Sequence, residues 1–319
     1  MRAAARARLS ALIGAEVALP VGAATATLVE TILRRHGAAI QAVLFYGSCL
    51  RRGDPTAAED PVYDFYLLVD DYRRVYDGRL AAWANAVLPP NVFYIEIPWR
   101  ERSLRAKYAV VTLAQFRRAV SPRALQSYFW ARFAQPVRLP FARDDTVRAA
   151  VVDALADAVS TLALRTAGLM EGSFMPAAFW TRAFEATYGA ELRTEGLDRA
   201  RLVYAADGAR YDGLSLPALQ AAGIEARIAE DGRLSLALPA QARRGAAAAW
   251  RRRRLLGKLL SALRLAKGAF TFDGGVDYIL WKIERHSGVA MRATDWQRRH
   301  PLLAAPALAW RLHRRGAFR

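Results

Sequence analysis

The sequence predicts a mixed α/β fold: a sheet of short apolar strands carrying helices, followed by a mainly helical middle and a basic C-terminal region. Three observations predict it. Two apolar runs, Val43–Tyr46 and Phe65–Val69, flank a Gly47-Ser48 corner and a turn-forming loop, which is the pattern of strand, tight turn into a helix start, loop and strand. A third run, Val92–Ile97, alternates as a half-buried strand does. Around these runs, apolar residues recur at helical spacing, as in Val151, Val152, Leu155, Val159 and Leu162.

Taken in order, Ala23–His36 reads as a helix with Leu28, Ile32 and Leu33 on one face and Gly37 closing it. Residues 51–61 hold turn formers and mixed charges; Arg51 and Arg52 read either as phosphate contacts or as part of a solvated loop. Val75, Leu80, Trp83 and Val87 predict a helix that Pro89-Pro90 ends. Leu104–Thr112 predicts a further strand, with Lys107 and Tyr108 directly before its apolar run. Gln126–Phe133 is an aromatic helix whose stripe reads as core.

A helix spans Asp145–Leu169, and the change in composition just before it places a domain boundary, giving domains 1–143, 144–240 and 241–319. The next segment, Phe179–Gly196, is predicted helical, with Glu191 and Glu195 on one face. Residues 208–232 read as turn-rich, without extractable chemistry. Residues 240–266 form a basic amphipathic helix, with Trp250, Leu256, Leu259, Leu260 and Leu263 opposite Arg251, Arg252, Lys258 and Arg264. Three readings stay open for it: a helix lying on an anionic membrane, a packing helix with a wet basic face, and a nucleic-acid groove. Beyond a helix at Val276–Arg285, the tail is basic and proline-punctuated, and its His286, His300 and His313 are too scattered for a metal site.

Composition narrows the partners. Hydrophobic residues make up 54% and charged residues 24% of the 319, which argues against wholesale disorder. Lys plus Arg number 47 against 29 acidic residues, a net charge of +18, so a polyanion is expected as partner, nucleic acid or an anionic lipid surface. Cys49 is the one cysteine, which excludes an intrachain disulfide and fits a reducing compartment. It has no histidine near it in sequence, so a covalent thiol mechanism is rejected. No stretch reaches the roughly 18 uncharged apolar residues of a membrane span, so any membrane association is expected to be peripheral.

The chemistry that the central corner suits is nucleotidyl transfer. Gly47 lets the backbone approach a phosphate, Ser48 supplies a hydroxyl, and the amides of a helix start attract anions. Asp64, at the start of the second strand, would hold a divalent cation on the triphosphate. Glu96 sits in the apolar run Val92–Ile97 and needs a partner there, a metal or an arginine. Lys107 reads either as a compact charge reaching the triphosphate or as a surface lysine.

Six blocks in one order resemble a single family. FYGSC resembles that family's aromatic-Tyr-Gly-Ser-Gly, YDFYLLVDD its Asp-Phe-x-x-x-Val-Asp-Asp, and RAKYAVVT its Lys-Tyr-Gly-Val strand. QSYFWARFAQPV is similar to its Gly-Arg-Leu-x-Lys-Pro-Val helix end, YGAELRTE to its Tyr-x-Gly-Asp-x-Arg, and AKGAFTFDGG to its Lys-Gly-x-x-Thr-Ala-Gly. The family is that of the mitochondrial translocator assembly and maintenance proteins, phosphatidate cytidylyltransferases with a polymerase-β-like nucleotidyltransferase domain.

The resemblance implies a bacterial-type member that makes CDP-diacylglycerol and pyrophosphate from CTP and phosphatidic acid. It implies Mg²⁺ as cofactor, an anionic membrane surface and no nucleic acid as partner, and a peripheral place on the cytoplasmic inner face of the cell membrane. Gly47, Ser48, Tyr108, Glu191, Arg193 and Lys267 would bind the nucleotide, Asp64 and Lys107 would be catalytic, and Asp64 would hold the metal. The sequence departs from the family at Cys49 and Ala109, both glycine there, at Glu191, aspartate there, and at Gly274, alanine there. Tyr66 stands at the second carboxylate position of the wider superfamily, so Glu96 is the candidate second metal ligand, whereas Asp70 and Asp71 read as a capping or loop pair. The rival readings are a nucleotidyltransferase acting on nucleic acid or a small molecule, and a basic adaptor without catalysis.

Overall fold

The computed structural model describes residues 1–52, 61–76, 78–191, 198–271, 276–277, 280, 283–284 and 287–315. It is a mixed α/β architecture. Its elements run α1 (Arg2–Val17), α2 (Ala23–His36), β1 (Ile40–Tyr46), α3 (Ser48–Arg52), β2 (Val62–Val69), α4 (Arg79–Val87), β3 (Asn91–Trp99), β4 (Arg102–Thr112), α5 (Leu113–Val120), α6 (Tyr128–Phe133) and β5 (Val137–Ala142). There follow α7 (Asp145–Ala167), β6 (Ser173–Phe174), α8 (Pro176–Tyr188), α9 (Asp198–Ala206), α10 (Gly208–Ala221), β7 (Glu225–Ile228), β8 (Leu234–Ala237), α11 (Ala240–Thr271), α12 (Asp295–Arg299) and α13 (Pro301–Arg314).

The five-stranded sheet has the order β3-β4-β2-β1-β5. β2 and β4 run parallel, and the other pairs are antiparallel. A second sheet, β6-β8-β7, is small and antiparallel. Alternation along the strands divides the side chains between two cores. Val43, Phe45, Phe65, Leu67, Tyr108 and Val110 meet α2 through Leu28 and Ile32. Leu44, Tyr66, Leu68, Ala109 and Val111 meet a larger core with Phe129, Phe133, Leu155, Val159, Trp180 and Leu214.

That larger core runs without a break from Leu9 of α1 to Trp250 of α11. It does not divide at the boundary expected near residue 143: α7, expected to open a separate domain, covers the sheet with α5 and α6. Asp144 caps α7 by accepting from the Val147 N–H, so the composition change marks a helix start. The aromatic residues of α6 are core, as expected, with Phe129, Trp130 and Phe133 buried.

Two segments differ from the sequence reading. Gly208–Ala221, expected to be turn-rich, is α10, which packs beside α1 and buries Tyr211, Leu214 and Ala218. The helix expected from Val75 is a 3₁₀ turn at Tyr72–Arg74 followed by α4. Trp83 and Val87 of α4 are exposed, while Ala82 and Asn85 face inward. Asp71 accepts from the Arg73 N–H and caps the 3₁₀ turn, as read from the sequence. Among the described residues, no helix is long and apolar enough to cross a membrane.

Candidate functional site

The Gly47-Ser48 corner and Asp64 stand next to each other at one end of the sheet. Tyr46 and Asp64 are direct partners across β1 and β2, so Gly47 turns away from the sheet beside the carboxylate. Its φ is +93°, and a Cβ there would lie 3.1 Å from Asp64 Oδ2. Only glycine takes that conformation without strain, and it lets the backbone pass against the carboxylate. Ser48 opens the short helix α3 directly after it.

Lys107 joins this pair from the neighbouring strand. It is the parallel partner of Asp64, and its Nζ lies 3.5 Å from Asp64 Oδ1 with both side chains about three-tenths exposed. The arrangement is a carboxylate and an ammonium side by side at a strand end, with the Gly47 backbone passing close to the carboxylate.

Other expected residues lie elsewhere. Tyr108, next to Lys107, points through the opposite face of the sheet by strand alternation. Its hydroxyl meets His36 Nε2 at 2.9 Å, its ring stacks on Phe93, and it is fully buried. It is a core residue, not a nucleotide contact. Glu96 has the arginine partner: Arg105 Nη2 donates to it at 2.8 Å and the Tyr94 hydroxyl at 3.1 Å. Two strands across and two residues along from Asp64, it sits roughly 12 Å away by strand geometry, so the structure does not bring the two carboxylates together. Arg193 and Glu195 lie outside the described residues, as do Asp273 and Gly274.

Lys267 is committed to protein acceptors. It donates to the Leu88 carbonyl, to the Pro90 carbonyl at 3.1 Å and to Asn85 Oδ1 at 3.4 Å, which matches the three donors of an ammonium. Burial, with Arg264 nearby, lowers its pKa to about 8. Pro90 precedes Asn91, whose register runs through Val110 to Leu67, so this clamp lies roughly 10 Å further along the strands than Asp64. Lys267 fastens α11 to the segment before β3. Arg51 donates to Gln135 at 3.3 Å, and Cys49 is buried, its thiol donating to the Val62 carbonyl.

Glu191 lies past the end of α8 at Tyr188, in a turn. That turn carries it to within electrostatic reach of two arginines that sequence reasoning did not assign to the site, Arg132 and Arg264. Arg132, on α6, donates to the Tyr46 hydroxyl at 3.0 Å. Its guanidinium is 4.8 Å from the Tyr128 ring centre, and that of Arg264 is 4.2 Å from the same ring. Tyr128 and Tyr66 meet hydroxyl to hydroxyl at 3.3 Å. Burial pushes the Tyr46 and Tyr66 hydroxyls well above the usual phenol range, so they stay protonated.

Arg264 therefore belongs to the inner face of α11. It donates to the Pro89 carbonyl at 2.9 Å and to Gln126 Oε1 at 2.6 Å. The exposed face carries Arg251, Arg252 and Lys258 with Leu255, Leu259 and Leu263. Of the leucines placed on the apolar side from sequence, Leu259 and Leu263 thus face outward, while Trp250 is buried and donates to the Arg165 carbonyl. Gly257 sets how close the helix comes: a Cβ there would run into the Ala190 carbonyl, next to Glu191.

The expected Mg²⁺ fits only in part. Among the described residues, no three His, Cys, Asp or Glu side chains form a metal-sized group. Among the described residues, the carboxylate at this corner is Asp64, with an ammonium beside it. That set suits a cation that arrives with substrate phosphates, the usual mode for Mg²⁺, and Glu96 is not part of it. A separate hollow of about 560 Å³, lined by Met170, Glu171, Thr181, Arg182, Glu185 and Arg201, lies on the helical side, where Arg182 and Glu185 already face each other at 3.6 Å.

No family model matches the chain, and a search of curated proteins returns no match either.

Proposed function

We propose that the chain is a phosphatidate cytidylyltransferase on a polymerase-β-like scaffold, working at a membrane surface. One observation carries the reading: Gly47 passes so close to Asp64 that a single Cβ would stand 3.1 Å from the carboxylate. The backbone able to seat phosphate and the group able to hold its cation therefore stand side by side. The six ordered sequence blocks support the choice of substrates.

In the reaction, a phosphate oxygen of phosphatidate attacks the α-phosphorus of CTP in line. The new P–O bond forms as the bond to the β-phosphate oxygen breaks, giving CDP-diacylglycerol and pyrophosphate. The attacking oxygen is already anionic, so no protein nucleophile or base is required. Asp64 would hold a Mg²⁺ arriving with the triphosphate, which would supply charge neutralisation there. Lys107, 3.5 Å from Asp64, places a fixed positive charge beside the reacting phosphates, and Gly47 and Ser48 offer backbone and hydroxyl donors.

The outer face of α11 suits the membrane. Leu255, Leu259 and Leu263 are 73%, 58% and 47% exposed, four residues apart and therefore in one row, with exposed Arg251, Arg252, Arg254 and Lys258 around them. Such a row enters the headgroup region while the basic side chains meet anionic lipid. Trp296, Leu303 and Trp310 of the C-terminal helices are also exposed beside basic residues. The inner face of the same helix carries Arg264, against the Tyr128 ring that Arg132 also meets, so the outer face and this cluster share one rigid element.

The test is the purified chain with labelled CTP, Mg²⁺ and phosphatidic acid in mixed micelles, with RNA as a control acceptor. CDP-diacylglycerol is the expected product. Label on RNA, or no transfer to either acceptor, overturns the reading.

A further inference from the structure

The Nε of Arg132 is shut off from solvent and, among the described residues, has no hydrogen-bond partner. The same guanidinium donates through Nη1 to Tyr46, a neutral phenol. Burial works against its charge, and the surrounding Tyr128, Tyr46, Tyr66 and Glu191 outweigh that. Arg264 lies against the same Tyr128 ring; burial lowers its pKa, and Arg132 repels it. Two guanidinium groups thus share one phenol ring, and Glu191 is a carboxylate that bears on both. Buried charges persist when paired, and a buried donor without a partner calls for one, a water or an ion among them. Guanidinium groups match phosphate oxygens in geometry as well as charge.

The cluster adjoins the proposed reaction centre. Tyr46, which holds Arg132, is the strand partner of Asp64, and in an antiparallel pair their side chains stand on the same face. We infer that Arg132 and Arg264, set against Tyr128, form a phosphate seat of this site. It rests on the nucleotidyl-transfer reading for its role and on the orphaned buried Nε for its existence. The phosphate it takes is either the diphosphate end of the nucleotide or the phosphomonoester of the lipid.

Titration calorimetry on the full chain separates these sources, using inorganic pyrophosphate in one arm and monomeric dihexanoyl phosphatidate in the other. Arg132→Lys keeps the charge but loses the planar donors and is expected to weaken one of the two ligands at least tenfold; the ligand weakened identifies the source. Arg264→Gln, at a partly buried position, is expected to weaken the same ligand, and it decides the matter if Arg132→Lys fails to fold by circular dichroism. Both affinities unchanged within twofold in the folded variants overturns the seat. Arginine-dependent pyrophosphate binding in a chain that transfers no nucleotide would instead overturn the nucleotidyl reading and leave the seat standing.

Discussion

Lys107 stands beside Asp64 as its partner on a parallel strand, with 3.5 Å between Nζ and Oδ1. The two charges hold each other at one end of the sheet.

Asp64→Asn keeps the shape of the side chain and removes its charge. Transfer from CTP should fall by roughly 10²-fold or more, the usual cost of losing one charge-stabilising group, with an unchanged circular dichroism spectrum. Lys107→Ala should fall comparably. A rate within threefold of the parent for Asp64→Asn removes the carboxylate from the chemistry.

Gly47→Ala meets two penalties. The φ of +93° disfavours any Cβ, and that Cβ would press on Asp64 Oδ2 at 3.1 Å. A loss of about 1–2 kcal/mol in stability is expected from the backbone alone, seen as a lower denaturation midpoint, together with a drop in turnover. Gly37→Ala is the control, since the φ of Gly37 is also positive, at +54°, with no neighbour within 4 Å of a Cβ built there: it should cost stability and spare turnover.

Gly257→Ala would drive a methyl group into the Ala190 carbonyl. Backbone cannot yield as a side chain does, so α11 must move away, at about 1–3 kcal/mol. Urea unfolding should show the loss.

His36 gives a pH dependence. Burial first, then Arg35, lowers its pKa from 6.5 to about 4, so the folded chain keeps it neutral where the unfolded chain protonates it. The resulting contribution to stability is whole above pH 6.5 and shrinks as pH falls toward 4. The decline in the urea midpoint between about pH 7 and about pH 4.5 should be smaller in His36→Phe than in the parent. Equal declines would show that this imidazole does not govern the acid limb.

Replacing Leu255, Leu259 and Leu263 together by serine should leave the melting temperature nearly unchanged, because all three are exposed. Co-sedimentation with anionic vesicles should fall severalfold and parent binding should weaken with salt. Parent binding to neutral vesicles as strong as to anionic ones contradicts a charge-assisted docking.

Much of the sheet is legible in the sequence because its strands announce themselves locally. β1, β2 and β4 each contain a short apolar run and β3 alternates, and α2 ends where Gly37 stops it. β5 escapes such reading because Pro140 interrupts it; as an edge strand it tolerates a proline. α10 escapes it because Gly208, Gly213 and Pro217 read as breakers, yet burial of its apolar face against α1 outweighs those local preferences. In the site, Gly47, Asp64 and Lys107 can be found from residues at strand ends. Tyr108 cannot be separated from Lys107 without strand alternation, and Glu96 not from a metal ligand without seeing Arg105. Arg132 and Arg264 meet over Tyr128 from helices far apart in the chain, and no local pattern encodes that meeting.

The parallel pairing of β2 with β4 also bears on how the chain comes to life on the ribosome. Parallel strands cannot be joined by a tight turn, so Asp64 waits while α4 and β3 are synthesised before β4 can slot in beside it. Contacts of such long loop closure form late. A nascent chain halted before Lys107 would carry the carboxylate without its ammonium, and the charge pair would form only with the closing of the sheet.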